Sequence, residues 1–172
     1  MKPVLTFLIL TALAGCADFS VPGIGSTKER IIPVPTKDAR ILFAAPRFAN
    51  NPPLRLKFTD VWQREEYALF QGDGAQAEIF YIAATARETS LEYEVGLKPR
   101  IKSWNYNSGS KIVWGEESKG FSAFGKVFYL PYLRGPDSCF GFSTEWAVAV
   151  DDSELNPTKV VFGYYCEASG TA

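Results

Sequence analysis

Leu54, Leu56 and Phe58 alternate with Arg55, Lys57 and Thr59, the period of two expected of a strand with one buried and one wet face. Tyr67 to Phe70 and Ala77 to Ala83 flank Gln71-Gly72-Asp73-Gly74, where Asp-Gly is the turn chemistry of a hairpin needing positive φ. The second arm, Glu78 to Ile82, is apolar on both faces and predicts a central strand. Lys111 to Trp114 and Lys126 to Leu133 read as further strands joined by a glycine-bearing connection. Near the C-terminus Phe140, Phe142, Thr144, Trp146, Val148 and Val150 form one alternating face, which Val161 and Tyr165 can continue from a partner strand. Asp151 to Pro157 supplies turn residues between the two.

One segment supports two readings. From Thr89 to Trp104, Leu91, Tyr93, Val95, Leu97 and Ile101 alternate with charged residues as in a strand, yet Tyr93, Leu97, Ile101 and Trp104 would equally line a helix. Gly96 and Pro99 argue against an uninterrupted helix, since an interior proline costs about 3 kcal/mol. A short helix over about 86–96, making the class α+β, stays open beside the strand.

The N-terminus has a different pattern. Lys2 precedes an apolar run from Val4 to Leu13, too short to span a bilayer core of roughly 30 Å as a helix. Ala14 and Gly15 follow as small residues, then Cys16. Leu13-Ala14-Gly15-Cys16 resembles the lipobox of bacterial lipoproteins, a resemblance that covers only residues 1–16. It implies a signal peptide over residues 1–15, cleavage before Cys16, a thioether diacylglycerol on that thiol and an amide-linked fatty acyl chain such as palmitate on the new α-amine. Each buried methylene contributes about 0.8 kcal/mol, so two or three chains anchor stably where one is marginal. Ala17 stands where aspartate would signal inner-membrane retention in enterobacterial lipoproteins, which leans the location to the periplasmic side of the outer membrane. Between Ala17 and about Arg40, prolines and glycines punctuate a stretch with little hydrophobic period. Residues 16–40 read as a lipidated, flexible tether with a reach of roughly 25 to 30 Å, and residues 41–172 as the β-rich domain. The alternative is that Arg30 to Val34 packs as a first edge strand.

Export makes the remaining cysteines informative. Once Cys16 is alkylated, Cys139 and Cys166 are the two thiols left in an oxidising compartment, and they are expected to bond. Placing them opposite each other sets an antiparallel register with Phe142 facing Gly163 and Ala149 facing Asn156, a C-terminal hairpin stapled by its disulfide.

Composition removes function classes. Loss of Lys2 with the leader leaves 17 basic against 19 acidic residues, a net charge of −2, so nothing points to nucleic acid. Methionine occurs only at position 1 while aromatics are abundant, which favours a rigid β interior. The chain has no histidine, which excludes Ser-His-Asp and Cys-His nucleophile systems and histidine-based metal sites. Ser108-Gly109-Ser110-Lys111 has Ser-x-x-Lys spacing without the companion motifs of penicillin-interacting enzymes. Glu65 with Glu66, and Glu116 with Glu117, are neighbours on strands, point to opposite faces, and read as solvated charges. Asp152, Glu154 and Asn156 alternate oxygens without the glycine and terminal glutamate of a calcium loop.

Aromatic surface remains. Trp104, Tyr106, Trp114, Phe121, Phe124, Tyr129 and Tyr132 cluster in sequence around Lys111, Lys119 and Arg134, and most of these rings are expected to fill a β core. Those left exposed, Trp104 and Tyr106 beside their Asn- and Ser-bearing loop first among them, can stack on sugars. The reading is a mainly β, single antiparallel β-sheet domain, sandwich or barrel-like, hung from a membrane by Cys16. Its expected role is non-enzymatic, without cofactor or metal, supporting or binding an envelope protein. A glycan or small-ligand binding module using Trp104, Tyr106 and Trp114 is the first alternative, and a hydrolase relying on carboxylates alone the second.

Overall fold

The computed structural model describes residues 32–59, 62–85, 91, 96–148 and 156–169. The leader, Cys16, most of the expected tether, nearly all of the 86–96 segment and the tip of the C-terminal hairpin, with its Ala149–Asn156 pair, lie outside the described residues. Nine strands form one antiparallel sheet: β1 Ile32–Pro33, β2 Leu54–Thr59, β3 Gln63–Gly72, β4 Ala75–Ala84, β5 Ile112–Trp114, β6 Ser118–Ser122, β7 Gly125–Arg134, β8 Asp137–Val148 and β9 Pro157–Glu167. Their spatial order is β1-β2-β3-β4-β9-β8-β7-β5, with β6 also paired to β7. The single antiparallel sheet is the one expected, but it is open instead of closing as a barrel or doubling as a sandwich.

Turn chemistry and periodicity account for the middle of the sheet. Asp73 and Gly74 take φ of 39° and 72°, the positive values of a two-residue turn matched to strand twist. β4 is paired at both edges by β3 and β9, and it buries Phe80 and Ile82 in the core on one face and Ala77 and Ile79 in the core on the other, as its continuous apolar run requires. In the β8–β9 ladder Cys139 faces Cys166 and Phe142 faces Gly163, and the two sulfurs are bonded. Gly163 is demanded by β4, because a Cβ there would sit 2.4 Å from the Glu78 carbonyl oxygen.

One face of the sheet carries the larger core, including Phe58, Phe80, Leu130, Val160 and Tyr164. It is covered by helix α1, Leu97–Ser103, through Leu97 and Ile101, and by Trp104 just after it. Burying each of these side chains stabilises by about 1.5 to 3 kcal/mol. The helix begins at Gly96, where the sequence suggested that one would end. Pro99 sits in the first turn, whose amides have no intrahelical acceptor, so its missing N–H forfeits no hydrogen bond there.

The other face is covered by a strap without regular secondary structure, residues 39–53, apart from a 3-10 turn at Pro46–Phe48. Ile41 and Phe48 of the strap pack on Phe70, Ala77 and Ile79. Two buried charges fasten it. The Glu66 carboxylate accepts the Arg40 N–H at 2.9 Å and the Ile41 N–H at 2.9 Å. Arg55 donates from Nη1 to the Ile41 carbonyl and stands 3.6 Å from Glu66. Glu65 and Glu66 do point to opposite faces, but at 5% and 3% exposure neither is the solvated charge expected. Arg55, expected on the wet face of β2, is equally buried under the strap.

Two further strands complete the sheet. Ile32 pairs with Lys57 and Pro33 with Leu56, so the chain joins the sheet before residue 41 and the edge-strand reading holds for these two residues. β6 is a strand not read from the sequence: Ser118-Lys119-Gly120-Phe121-Ser122 has no apolar alternation, and all but Gly120 are exposed.

Candidate functional site

The three aromatic residues singled out from the sequence do not form an exposed ring. Trp104 is 5% exposed and meets the Tyr164 ring edge-on at 5.3 Å, because the helix start turns it toward the sheet. Tyr106 is half-buried, stacked on Tyr164 with ring centroids 5.7 Å apart and planes 9° from parallel. Its hydroxyl donates to Asp137 at 3.1 Å, and the Arg134 guanidinium lies 3.8 Å from its ring centroid. Trp114 is half-buried against Tyr132. Trp104 belongs to the main core, and Tyr106 and Trp114 pack partly buried against it.

Beneath them lies a polar network that no periodicity announced. Glu78, alternating with the apolar residues of β4, points into the main core and accepts the Tyr67 hydroxyl at 2.7 Å, the Tyr164 hydroxyl, and Gln76 Nε2 at 3.2 Å. Its carboxylate is thereby engaged on both oxygens, which suits a structural acceptor more than a catalytic base. Tyr132 donates to Asn107 Oδ1 at 3.4 Å and lies 3.5 Å from Cys166 Sγ. Burial, reinforced by the Glu78 charge, raises the Tyr67 and Tyr164 hydroxyls above their usual range, and burial raises Tyr132. Burial and the hydrogen bond to Glu167 push Tyr165 up to about 12.

A folded-state pKa above the unfolded value near 10.0 means that the native state holds these protons while the unfolded chain releases them. The stabilisation is complete below about pH 10 and is lost as pH rises beyond it. In an alkaline titration followed by phenolate absorbance, Tyr67, Tyr132 and Tyr164 are expected to ionise only together with unfolding. Reversible ionisation of all the tyrosines while the fold persists would contradict the network.

The remaining sequence candidates contribute no site. Ser108 and Lys111 are exposed in the turns after α1, and Glu116 and Glu117 are exposed between β5 and β6. Asp152 and Glu154 lie outside the described residues, and among the described residues no His, Cys, Asp and Glu group is placed to hold a metal.

The developed concavity is on the strap side. The strap covers β2, β3, β4 and part of β9 on that face, and where it stops a groove of about 550 Å³ opens, within the range of small-molecule sites. Strap residues Arg40 to Phe43 form one wall, Ile79, Val161 and Phe142 the floor, and Phe124, Trp146 and Phe140 the opposite side. Phe124 and Trp146 are 5.6 Å apart, Trp146 and Tyr81 6.0 Å, and the Arg40 guanidinium is 5.7 Å from the Tyr81 ring centroid. Leu42, Phe124 and Phe140 are 77%, 65% and 38% exposed. The apolar alternation of β8 was legible in the sequence; that this face is left partly uncovered was not.

No known protein family, no curated protein and no solved structure matches the chain.

Proposed function

We propose that this chain is a lipid-anchored protein of the bacterial cell envelope whose folded domain binds an apolar partner or ligand and does no covalent chemistry. The observation that carries the binding role is the aromatic groove beside the strap, whose lining has only Arg40, Tyr81, Thr144 and the Trp146 ring nitrogen as side-chain polar groups. An uncovered apolar face marks an interaction site more often than a defect. The anchor rests on the lipobox resemblance at Cys16, and the Cys139–Cys166 bond accords with life outside the cytosol. The proposed location is the outer membrane, facing the periplasm.

The alternatives drawn from the sequence lose ground. A glycan face built on Trp104, Tyr106 and Trp114 lacks exposed rings, and a carboxylate pair for hydrolysis is undercut because Glu65 and Glu66 face opposite sides while Glu78 is held by two tyrosines.

Substituting Cys16 by serine is expected to shift the protein from the membrane fraction to the soluble fraction of cells, and unchanged fractionation would sink the anchor. For the groove, the chain from residue 16 carrying Cys16→Ser should bind the neutral dye Nile red at one site. Val161→Trp, which fills the floor, should abolish that binding while leaving the near-ultraviolet circular dichroism of a folded protein. Dye binding unaffected by Val161→Trp would place the apolar site elsewhere.

A further inference from the structure

The groove has two chemically different ends, set by strand register. Rows of side chains on the strap face repeat every second residue, about 7 Å apart. One row holds Phe140, Tyr165 and Ala77, the next Phe142, Gly163 and Ile79, the third Thr144, Val161 and Tyr81, and the fourth Trp146, Lys159 and Ala83. The groove spans all four, a length of about 20 Å. The strap runs the same way, from Arg40 beside Glu66 in the third row to Phe43 against Phe70 and Tyr165 in the first. The first two rows offer rings and aliphatic carbon. The other end also has rings, Tyr81, Trp146 and Phe124, but adds Arg40 and Thr144, with Lys159 and Arg64 in the fourth row on the same face.

Charge at that end favours an anion. Glu66 is already engaged by Arg55 and by two strap amides, so its charge is answered from within the domain. The neighbouring cleft sets Asp38, Glu65 and Glu66 against Arg40, Lys57 and Arg64, and with Glu66 answered by Arg55 one cation is left over there. Arg40 has its side chain exposed and forms no ion pair among the described residues.

We infer that the groove binds a single long alkyl chain bearing an anionic head, the chemistry of a fatty acid, with the head at Arg40 and the tail lying over Ile79 and Phe142 toward Phe140. The floor runs from β4 across β9 to β8, and the groove's volume of about 550 Å³ is that of a site for one ligand. This inference rests on the binding role proposed above and narrows it to one ligand class.

Palmitate is the probe, titrated calorimetrically into the chain from residue 16 with Cys16→Ser. One palmitate per chain is expected. Each methylene removed should weaken binding by about fourfold, so octanoate should bind far more weakly. Loss of a charge-assisted contact should cost about tenfold or more, seen both with the neutral alcohol of the same chain length and with Arg40→Ala. Val161→Trp should remove palmitate binding. Nile red binding without palmitate binding would overturn the fatty-acid inference and leave the binding role standing; failure of both would overturn both. Binding to anionic phospholipid vesicles but not to dissolved palmitate, or palmitate binding indifferent to chain length or to Arg40, would overturn the inference as well.

Discussion

Glu66→Ala is expected to destabilise the domain by about 3 to 5 kcal/mol, the range for removing one partner from a buried ion pair. The magnitude follows from what the carboxylate holds. It is 3% exposed, accepts both strap amides at 2.9 Å and faces the Arg55 guanidinium at 3.6 Å. Its removal orphans two amides and leaves a buried cation whose remaining anchors are the Ile41 carbonyl and the face of Phe70. Arg55→Met should cost less, because the carboxylate keeps its amide donors. Glu66→Gln should fall between wild type and alanine, since an amide oxygen still accepts but carries no charge. Urea midpoints measured at constant slope test the order, and a Glu66→Ala loss below about 1 kcal/mol would mean that the strap is held by its apolar contacts alone. The same variant should weaken occupancy of the groove, because Arg40 to Phe43 are its wall.

The residues of that strap explain which parts of the fold were legible. Where order is local, the chain states it: Asp73-Gly74 needs positive φ, β4 is apolar on both faces, and two cysteines placed face to face set the β8–β9 register. Where the outcome depends on a distant covering, alternation misleads. Arg55 and Glu66 sit at polar positions of period-two patterns, yet both are buried because residues 39–53, which have no hydrophobic period of their own, fold over them. Glu78 reads as an interruption of an apolar strand, and its tyrosine partners lie 11 and 86 residues away along the chain. Trp104 borders an Asn- and Ser-bearing loop, where a ring is expected at the surface; Pro99 in a first turn is compatible with a helix, and that single placement sends Trp104 into the core. The groove is a further step removed. Phe140, Phe142 and Trp146 announce an apolar face, but how far the strap reaches across it decides whether that face is core or site.

Removing the disulfide, as Cys139→Ala with Cys166→Ala, is expected to cost about 3 to 4 kcal/mol on the chain-entropy account for a separation of 27 residues. In a domain of this size that corresponds to a fall in Tm on the order of 10 °C. The bond joins the ends of β8 and β9 next to the paired Gly74 turn of β3 and β4, with Cys139 5% and Cys166 1% exposed. Burial has a kinetic consequence: a thiol reductant should react slowly with the folded protein and quickly in denaturant, so the native-state rate reports opening of this hairpin. The expectation also ties stability to compartment. Protein produced in a reducing cytoplasm should carry free thiols at both positions and match the double-alanine variant in its urea midpoint, while the exported protein should match the oxidised form. A double-alanine variant within about 1 kcal/mol of the oxidised protein would show that the ladder between Phe140 and Pro157 confines the unfolded chain without help from sulfur, and the dependence of this fold on an oxidising environment would fall with it.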